Sequence, residues 1–500
     1  MKSIDTLLKN YQKSLTLKRK WEGIYRPVYE YMMPLRYEQG DKNGIEIYSS
    51  LGEQVADRFV QKLQALLTPI ATDWISLEAG YTFKKMGTDL TEVNQALSDV
   101  ANLLNVYKDT SNCDTVLSEF YYDLIAGTAC LLISEGTQEN PLRFSVVPMS
   151  QFSFSEGAFS EVAEVFRTLK MSPELIPVTW RDAVVPEKIK SEEKERELLE
   201  CTYYDYQENI WFYNVIDLQE KKILVKRTYQ TNPFIIVRWS KCAGEIYGRG
   251  AGLKVVHDVQ TLNKITEYSL RALAFTIPVF CASQDGDYDV DEFVFEPGAI
   301  NPVPSTATNN PTITQLGVNQ SPALQNYQME RLEMEIKKNM FDTTIPNDPS
   351  REMTATEINA RMNDLQANMT TAFGRLIHEF LYPMIRRMAE ILKKFGYLSN
   401  EIDVRLFNGF GYKIKVSLLP HNTQKQLQIN QMLTALQTLM NFDPGKQFAS
   451  KVIDMTHLAP YLMAQMGMPG GFIRTPEVIQ NMIQEEAELA VRLAEESHAG

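Results

Sequence analysis

Two helical patterns of similar length, at residues 251–275 and 321–341, bracket a segment with the features of strands and turns. Each pattern repeats apolar residues at the spacing of one helix face. The apolar positions are Val255, Val259, Leu262 and Ile265 in the first helix and Leu324, Leu332, Ile336 and Met340 in the second. The chain is therefore predicted to run out along one helix, form a small β module and return along another.

The residues before this module predict an α+β fold with an antiparallel sheet. Helical spacing covers residues 1–35 and the stretch GEQVADRFVQKLQALLTP. A helix in SEFYYDLIAGTACLLISE is expected to break at Gly127 and continue as a strand. From there to about residue 239 the segments are mostly of the strand-and-turn type, which favours an antiparallel arrangement.

The last third of the chain is predicted to be largely helical. Thr354 and Glu357 form a capping box that starts a long helix, which continues to about Lys394 with a kink at Pro383. A strand is expected at YKIKVSLL, followed by helical segments near 424–441 and 448–467 and a last helix from about residue 475.

The composition limits the classes of protein to which the chain can belong. A net charge of −13, from 50 basic and 63 acidic residues, speaks against tight nonspecific DNA binding, although not against a surface past which DNA slides. No apolar run is long enough to span a bilayer, so no membrane is expected among the partners. Five scattered cysteines without a C-x-x-C pair favour a reducing compartment.

Three alternate glycines, Gly248, Gly250 and Gly252, stand just before the first helix of the pair and raise the possibility of a phosphate-binding loop. The dinucleotide fingerprint requires a third glycine where Leu253 stands, and no Walker A motif occurs. The sequence HEFLY has Tyr382 where a zinc protease has its second histidine. No catalytic residue, cofactor or metal is therefore predicted, and a nucleotide-binding enzyme using the glycine turn is kept as an alternative.

A second motif, DGDYDVDEFVFE at residues 285–296, matches part of a calcium-loop template but has Val290 where the template requires glycine. We interpret it as an acidic hairpin loop between two strands. No Lys or Arg occurs between Arg271 and Arg331, so this segment is suited to docking a basic protein surface rather than DNA. The acidic residues expected at the docking surface are Asp285, Asp287, Asp289, Asp291 and Glu292.

The order of these segments resembles the portal protein, or head-to-tail connector, of short-tailed (podovirus, T7-like) bacteriophages. The resemblance extends from about residue 45 to 425 and rests on several ordered stretches. They are IYSSLGEQVADRFVQKLQALLTPIATDWISLE, DLIAGTACLLI, GEIYGRGAGLKVVHDVQTLNKITE, MTATEINARMNDLQANMTTAFGRLIHEFLYPMIRRM and VSLLPHNTQKQ.

The resemblance implies a portal fold of named regions, assembled as a ring that is typically dodecameric. The regions are a wing (1–250, with a long helix and strand at 354–420), a first stem helix (251–275), a clip (276–320), a second stem helix (321–341), a tunnel loop (342–353) and a helical crown (421–500). In this assignment Gly248, Gly250 and Gly252 form the turn from wing to stem.

The resemblance also implies a location in the virion, at the portal vertex of the capsid, after assembly in the host cytoplasm. The implied partners are the terminase large subunit, the major capsid and scaffolding proteins, tail adaptor proteins and double-stranded DNA that passes through the channel and is weakly bound. Lys337 and Lys338 are candidates to face the channel, or instead to form salt bridges between subunits with Glu333 or Glu335. The other channel candidates are Thr343, Thr344, Asn347 and Arg351 in the tunnel loop.

A further alternative is a different ring-forming virion component, such as an adaptor. It differs from a portal in predicting no contact between terminase and the acidic segment.

Overall fold

The computed structural model describes residues 2–34, 46–70, 73–81, 90–190, 194–274, 280–284, 294, 300–304, 322–342, 373–399, 412–416, 432–435 and 437–438. The chain divides into two compact units, residues 1–64 with 75–415 and residues 65–74 with 416–500. In the second unit, residues 432–435 are helical, as predicted for 424–441. The other helices predicted after residue 440 lie outside the described residues.

The described part of the chain contains runs of helices and runs of antiparallel strands, as expected of an α+β protein. The helices are α1 (Ile4–Met32), α2 (Leu51–Leu67), α3 (Leu90–Thr110), α4 (Cys113–Ala126), α5 (Ile176–Thr179), α6 (Glu187–Lys190), α7 (Ala251–Ala274), α8 (Pro322–Asn339) and α9 (Tyr382–Lys394). The strands are β1 (Ile75–Ala79), β2 (Thr128–Glu135), β3 (Leu142–Val147), β4 (Phe152–Glu156), β5 (Val162–Met171), β6 (Arg196–Asp205), β7 (Ile210–Asp217), β8 (Lys222–Tyr229), β9 (Phe234–Arg238), β10 (Phe280–Gln284), β11 (Ile300–Pro304) and β12 (Tyr412–Val416).

The largest sheet has five antiparallel strands in the order β4-β5-β6-β7-β8, which confirms the predicted antiparallel arrangement. The first half of α1 packs on this sheet, because Leu7 and Tyr11 share a buried cluster with Phe166, Leu199 and Ile216. The Ser3 side chain accepts a hydrogen bond from the Thr6 amide and caps the helix at its start.

A second sheet has three antiparallel strands in the order β3-β2-β9. Helix α4 ends at Ala126 and β2 begins at Thr128, which confirms the predicted break at Gly127. Gly127 has a φ of 141°, a conformation that residues with a Cβ rarely adopt. The buried β2 therefore starts directly at the end of a buried helix.

The two long helices of the predicted excursion are present as α7 and α8, and they contact each other. Val255, Val259 and Leu262 are buried on α7, and Ile336 and Met340 are buried at the end of α8. Ile265 and Leu332 are half-buried, and the side chain of Leu324 lies outside the described residues.

The strands β10 and β11 confirm that a β module stands between these helices, but they pair in parallel. The predicted hairpin is therefore wrong for this pair, because the two arms of a hairpin are antiparallel and parallel strands need a crossover connection. The acidic residues expected in the hairpin loop lie outside the described residues.

The predicted long helix is described only from residue 373, and it ends at Lys394 as expected. A π-helical segment, Ile377–Leu381, comes just before Pro383. Proline has no N–H to donate to the carbonyl four residues earlier, so the irregular segment lies where a kink was predicted. The capping box at Thr354 and Glu357 lies outside the described residues.

Candidate functional site: the junction between the sheets and the helix pair

The three alternate glycines lie where the chain leaves the three-stranded sheet and enters α7. Their backbone passes directly against residues 125–127, at the end of α4. A Cβ atom on Gly248 would lie closer than 3.0 Å to the carbonyl oxygen of Gly127, and a Cβ atom on Gly250 would also lie closer than 3.0 Å to the carbonyl oxygen of Ile125. A Cβ on Gly252 would meet the side chain of Ile125 at 2.7 Å. These positions therefore require glycine because two backbone segments are in contact.

The amide groups of this turn are used by the protein itself. Gly248 N–H donates to the hydroxyl of Thr128 (2.8 Å), Arg249 N–H to the carbonyl of Ser240 (2.7 Å) and Gly250 N–H to the carbonyl of Ala126 (3.0 Å). A phosphate-binding loop instead points such amides at its ligand. The glycine turn therefore serves to pack against residues 125–127, and we call this contact the glycine joint. The geometry gives no support to the nucleotide-binding alternative.

Tyr25 of α1 ties a third element to the joint. Its hydroxyl donates to the carbonyl of Gly248 and lies 3.0 Å from the hydroxyl of Thr128. Burial raises the pKa of Tyr25 well above its ordinary value, so the phenol stays protonated. The helical spacing of residues 1–35 does not indicate this polar role, because it depends on residues more than 100 positions away.

Arg238, the last residue of β9, is the centre of an ion-pair network beside the joint. Its Nε and Nη2 donate to the two oxygens of Glu379 at 3.1 and 2.7 Å, and its Nη1 contacts Glu156 and the carbonyl of Ile246. The side chain is only 3% exposed. Burial alone would lower the pKa of Arg238, but Glu379 and Glu156 more than offset it and raise the pKa.

The two carboxylates of this network have further partners. Glu379 also accepts hydrogen bonds from the Arg238 amide at 3.0 Å and from Arg375 at 2.8 Å, and Glu156 pairs with Lys241. The network joins β4, β9 and the π-helical segment. Sequence reasoning missed it, because nothing in the spacing of these residues indicates that they meet.

The end of α8 is anchored to α2 at the point where the resemblance places the tunnel loop. Phe341 has a left-handed φ of 56°, and its ring packs against Phe59. The carboxylate of Asp342 is fully buried and bonds to Arg58 (2.7 Å) and Lys62 (3.2 Å). The direction in which the chain leaves the helix is therefore fixed by contacts with α2.

Replacing Asp342 by asparagine is expected to lower the free energy of unfolding by about 1–2 kcal/mol. The change removes the charge that strengthens two hydrogen bonds, while both cations keep partial access to water. The matched control is Glu335→Gln, because Glu335 pairs with Arg331 at 3.3 Å on an exposed helix face and such pairs contribute little. Urea unfolding of both variants measures the difference in the free energy of unfolding. Equal losses would show that the buried ion pairs of Asp342 contribute no more to stability than the exposed pair of Glu335.

The predicted channel residues are only partly described. Lys337 lies 3.6 Å from Glu333 one turn earlier on α8, and Lys338 is exposed. Glu335 pairs with Arg331 of the same helix. The structure thus shows pairs within one helix, and contact with the channel or with another subunit stays a prediction. Thr343, Thr344, Asn347 and Arg351 lie outside the described residues, as do Asp285, Asp287, Asp289, Asp291 and Glu292.

Burial raises the pKa values of Cys113, Cys130 and Cys201, the last to about 12, so these thiols stay protonated and are poor nucleophiles. In the part of the chain that the structure describes, no three His, Cys, Asp or Glu side chains are grouped to hold a metal ion. No helix within these described ranges is long and apolar enough to cross a membrane.

Three solved structures are similar to the chain at low identity. They are "Virion of native gene transfer agent (GTA) particle" (10% identity, TM-score 0.34, covering 89% of this chain and 93% of that one), "Neck of empty GTA particle computed with C6 symmetry" (11%, 0.33, 84% and 90%) and "Neck of native GTA particle computed with C12 symmetry" (10%, 0.30, 84% and 91%). TM-scores of this size are too low to support an inference.

Comparison with curated proteins finds no match. Comparison with protein families finds one whose description is "Bacteriophage head to tail connecting protein", and its model matches residues 4–473. That match includes the five-stranded and three-stranded sheets, the glycine joint and the helix pair. The chain therefore belongs to the family of bacteriophage head-to-tail connecting proteins.

Proposed function

We propose that this protein is the portal of a bacteriophage capsid, a ring whose axial channel carries double-stranded DNA during packaging and ejection. The observation that carries the proposal is the family match over residues 4–473. The net charge of −13 also supports it, because a channel for a polyanion works only if the DNA does not bind its wall tightly. The protein acts as a structural component and not as an enzyme.

The regions are proposed as the resemblance assigns them. The two sheets with α1 to α4 form the wing, α7 and α8 the stem, and the β module between them the clip. Thr343, Thr344, Asn347 and Arg351 are proposed for the tunnel loop, and Lys337 and Lys338 for transient phosphate contacts. The residues after 420 are proposed as the crown.

The acidic residues Asp285, Asp287, Asp289, Asp291 and Glu292 are proposed as the docking surface for the terminase large subunit and later for tail adaptor proteins. A cluster of carboxylates attracts a basic protein surface and repels DNA, which supports this assignment. We further propose a dodecamer at the portal vertex of the virion, assembled in the host cytoplasm with capsid and scaffolding proteins, and a podovirus origin.

The joint described above suits a part that must transmit force. In a connector, load placed on the helix pair has to reach the sheets without bending the chain between them. Direct contact between backbone segments leaves no side chains to rearrange, and the buried Arg238 holds three segments together. A rigid joint keeps the channel geometry constant while DNA moves.

The test is the native mass of the purified full-length protein, together with electron micrographs of the same chromatographic peak. Twelve chains of 57.2 kDa would give about 0.7 MDa, and closed rotational symmetry places a hole on the ring axis. We expect a ring with a channel near the width of duplex DNA.

Two other outcomes would contradict the proposal. A ring that supports no DNA packaging when combined with terminase and empty capsids would favour a virion adaptor. A monomer that binds a nucleotide would favour the enzymatic alternative.

A further inference from the structure

The exposed face of α1 is basic beyond its first turn, in which Asp5 is also exposed. Lys9, Lys13, Arg19 and Lys20 are all exposed, and we call these four residues the basic face of α1. Between residues 6 and 26 the chain has one acidic residue, Glu22, and it is half-buried. This arrangement is unusual in a chain with a net charge of −13.

The four cations of the basic face have no carboxylate partner among the described residues. Other basic residues of the same helix do have partners: Lys18 is buried, donates to the carbonyl of Ser150 at 2.6 Å and lies 3.2 Å from Glu22, and Arg26 bonds to Glu30 at 2.6 Å. Helix α1 therefore pairs Lys18 and Arg26 with carboxylates of its own and leaves the four cations of the basic face available.

The spacing of the basic face forms a row along the helix. Lys9, Lys13 and Lys20 fall on one stripe at 3.6 residues per turn, which Asp5 precedes by one turn, and Arg19 lies about 100° around the helix from Lys20. At 1.5 Å per residue the row is about 16 Å long. Over that length a DNA duplex presents roughly ten phosphate charges, so cations in such a row meet phosphates in any register.

We propose that the basic face of α1 binds the phosphates of duplex DNA without sequence specificity. This face is separate from the acidic segments of the chain. The choice of DNA rests on the proposed function, which brings this protein next to a DNA duplex. A row of one sign favours a polyanion of uniform charge. A protein partner fixed in one register is usually recognised by a pattern of both signs, whereas the exposed charges between residues 6 and 26 are all basic.

The size of the expected effect follows from counterion release. Each phosphate neutralised on B-DNA contributes about −0.9 to the slope of log K against log salt concentration. Loss of three cations that each neutralise one phosphate therefore reduces that slope by about 2.7 per chain, and it weakens binding in 50 mM salt more than about tenfold.

The experiment measures binding of the full-length protein to a fluorescent 60-base-pair duplex between about 50 and 200 mM salt, where such slopes are readily resolved. The test variant is Lys9→Glu with Lys13→Glu and Lys20→Glu. The matched control is Lys221→Glu with Lys222→Glu and Lys226→Glu, because these three exposed lysines lie on and beside β8 and give the same change of net charge. We expect the test variant to lose affinity and salt slope, and the control to keep the wild-type values.

Two further variants separate charge from folding and from side-chain shape. Arginine at positions 9, 13 and 20 is expected to retain DNA binding, and glutamine at the same positions to weaken it to an intermediate level while leaving the unfolding midpoint unchanged. If the glutamate variant does not fold, the glutamine variant decides the test.

Several outcomes would overturn the proposal. They are absent DNA binding by the wild type, equal losses in test and control variants, and a basic face whose mutation weakens binding to polyglutamate or to anionic vesicles but not to DNA. If the protein forms rings normally and any of these results is obtained, this inference is overturned and the portal proposal stands. Failure to form rings in the wild type would instead count against the portal proposal.

Discussion

Replacing Gly250 by alanine is expected to lower the free energy of unfolding by about 3 kcal/mol, at the upper end of the range for overpacked sites. The added methyl group would lie closer than 3.0 Å to main-chain atoms of Ile125 and Ala126. Main-chain atoms cannot move aside as a flexible side chain does, so α4 and α7 would have to separate. Urea unfolding followed by circular dichroism measures the loss.

The control for this prediction is Gly23→Ala in the exposed middle of α1, where a Cβ meets nothing within 4 Å. Glycine inside a helix is less favourable than alanine by about 0.5–1 kcal/mol, so this variant should be slightly more stable than the wild type. Opposite signs at the two positions would confirm that contact between segments determines the need for glycine at 250. A stable Gly250→Ala protein that had lost nucleotide binding would favour the enzymatic alternative instead.

Replacing Arg238 by methionine is expected to lower the free energy of unfolding by about 3 kcal/mol or more. The change leaves the largely buried carboxylates of Glu379 and Glu156 without their shared partner, and breaking such a pair from one side is strongly destabilising. Arg375 and Lys241 remain in contact with these carboxylates and keep the loss from being larger. Chemical unfolding at neutral pH measures the effect.

The control for Arg238 is Arg375→Met, because Arg375 pairs with the same Glu379 but is one-third exposed. Its loss should be below about 1 kcal/mol, as for other exposed pairs. Arg238→Lys should lie between the two, since lysine keeps the charge but cannot make the two parallel bonds to Glu379. Similar losses for Arg238→Met and Arg375→Met would mean that burial of the network contributes little.

Much of the secondary structure was predictable from local patterns. The helix pair was expected at 251–275 and 321–341 and is found at Ala251–Ala274 and Pro322–Asn339. The break at Gly127 and the end of the long helix at Lys394 were also correct. The predicted pairing of β10 with β11 was wrong. Parallel and antiparallel strands show the same alternation of side chains, and the sequence between the two strands does not distinguish a turn from a crossover.

The site was predictable only in its position along the chain. Gly248, Gly250 and Gly252 stood out as alternate glycines, but phosphate binding and close packing both need a residue without a Cβ. The hydrogen bonds from Gly248 and Gly250 to Thr128 and Ala126 distinguish between the two explanations. The sequence did not indicate the roles of Arg238 and Asp342. Glu379 lies 141 positions from Arg238 in the chain, and Arg58 lies 284 positions from Asp342.

The sequence by itself determined the positions of the long helices and of the break at Gly127 and, through the order of its segments, the family to which the chain is similar. The helix positions depend on residues within a turn or two of each other, where periodicity, capping and glycine act directly, and the resemblance depends on the order of such segments along the chain. The tertiary structure alone decided that Gly250 packs against Ile125, that Arg238 joins Glu156 to Glu379 and that Asp342 binds α2. These contacts depend on the distances between segments in the folded chain, and spacing along the sequence does not specify those distances.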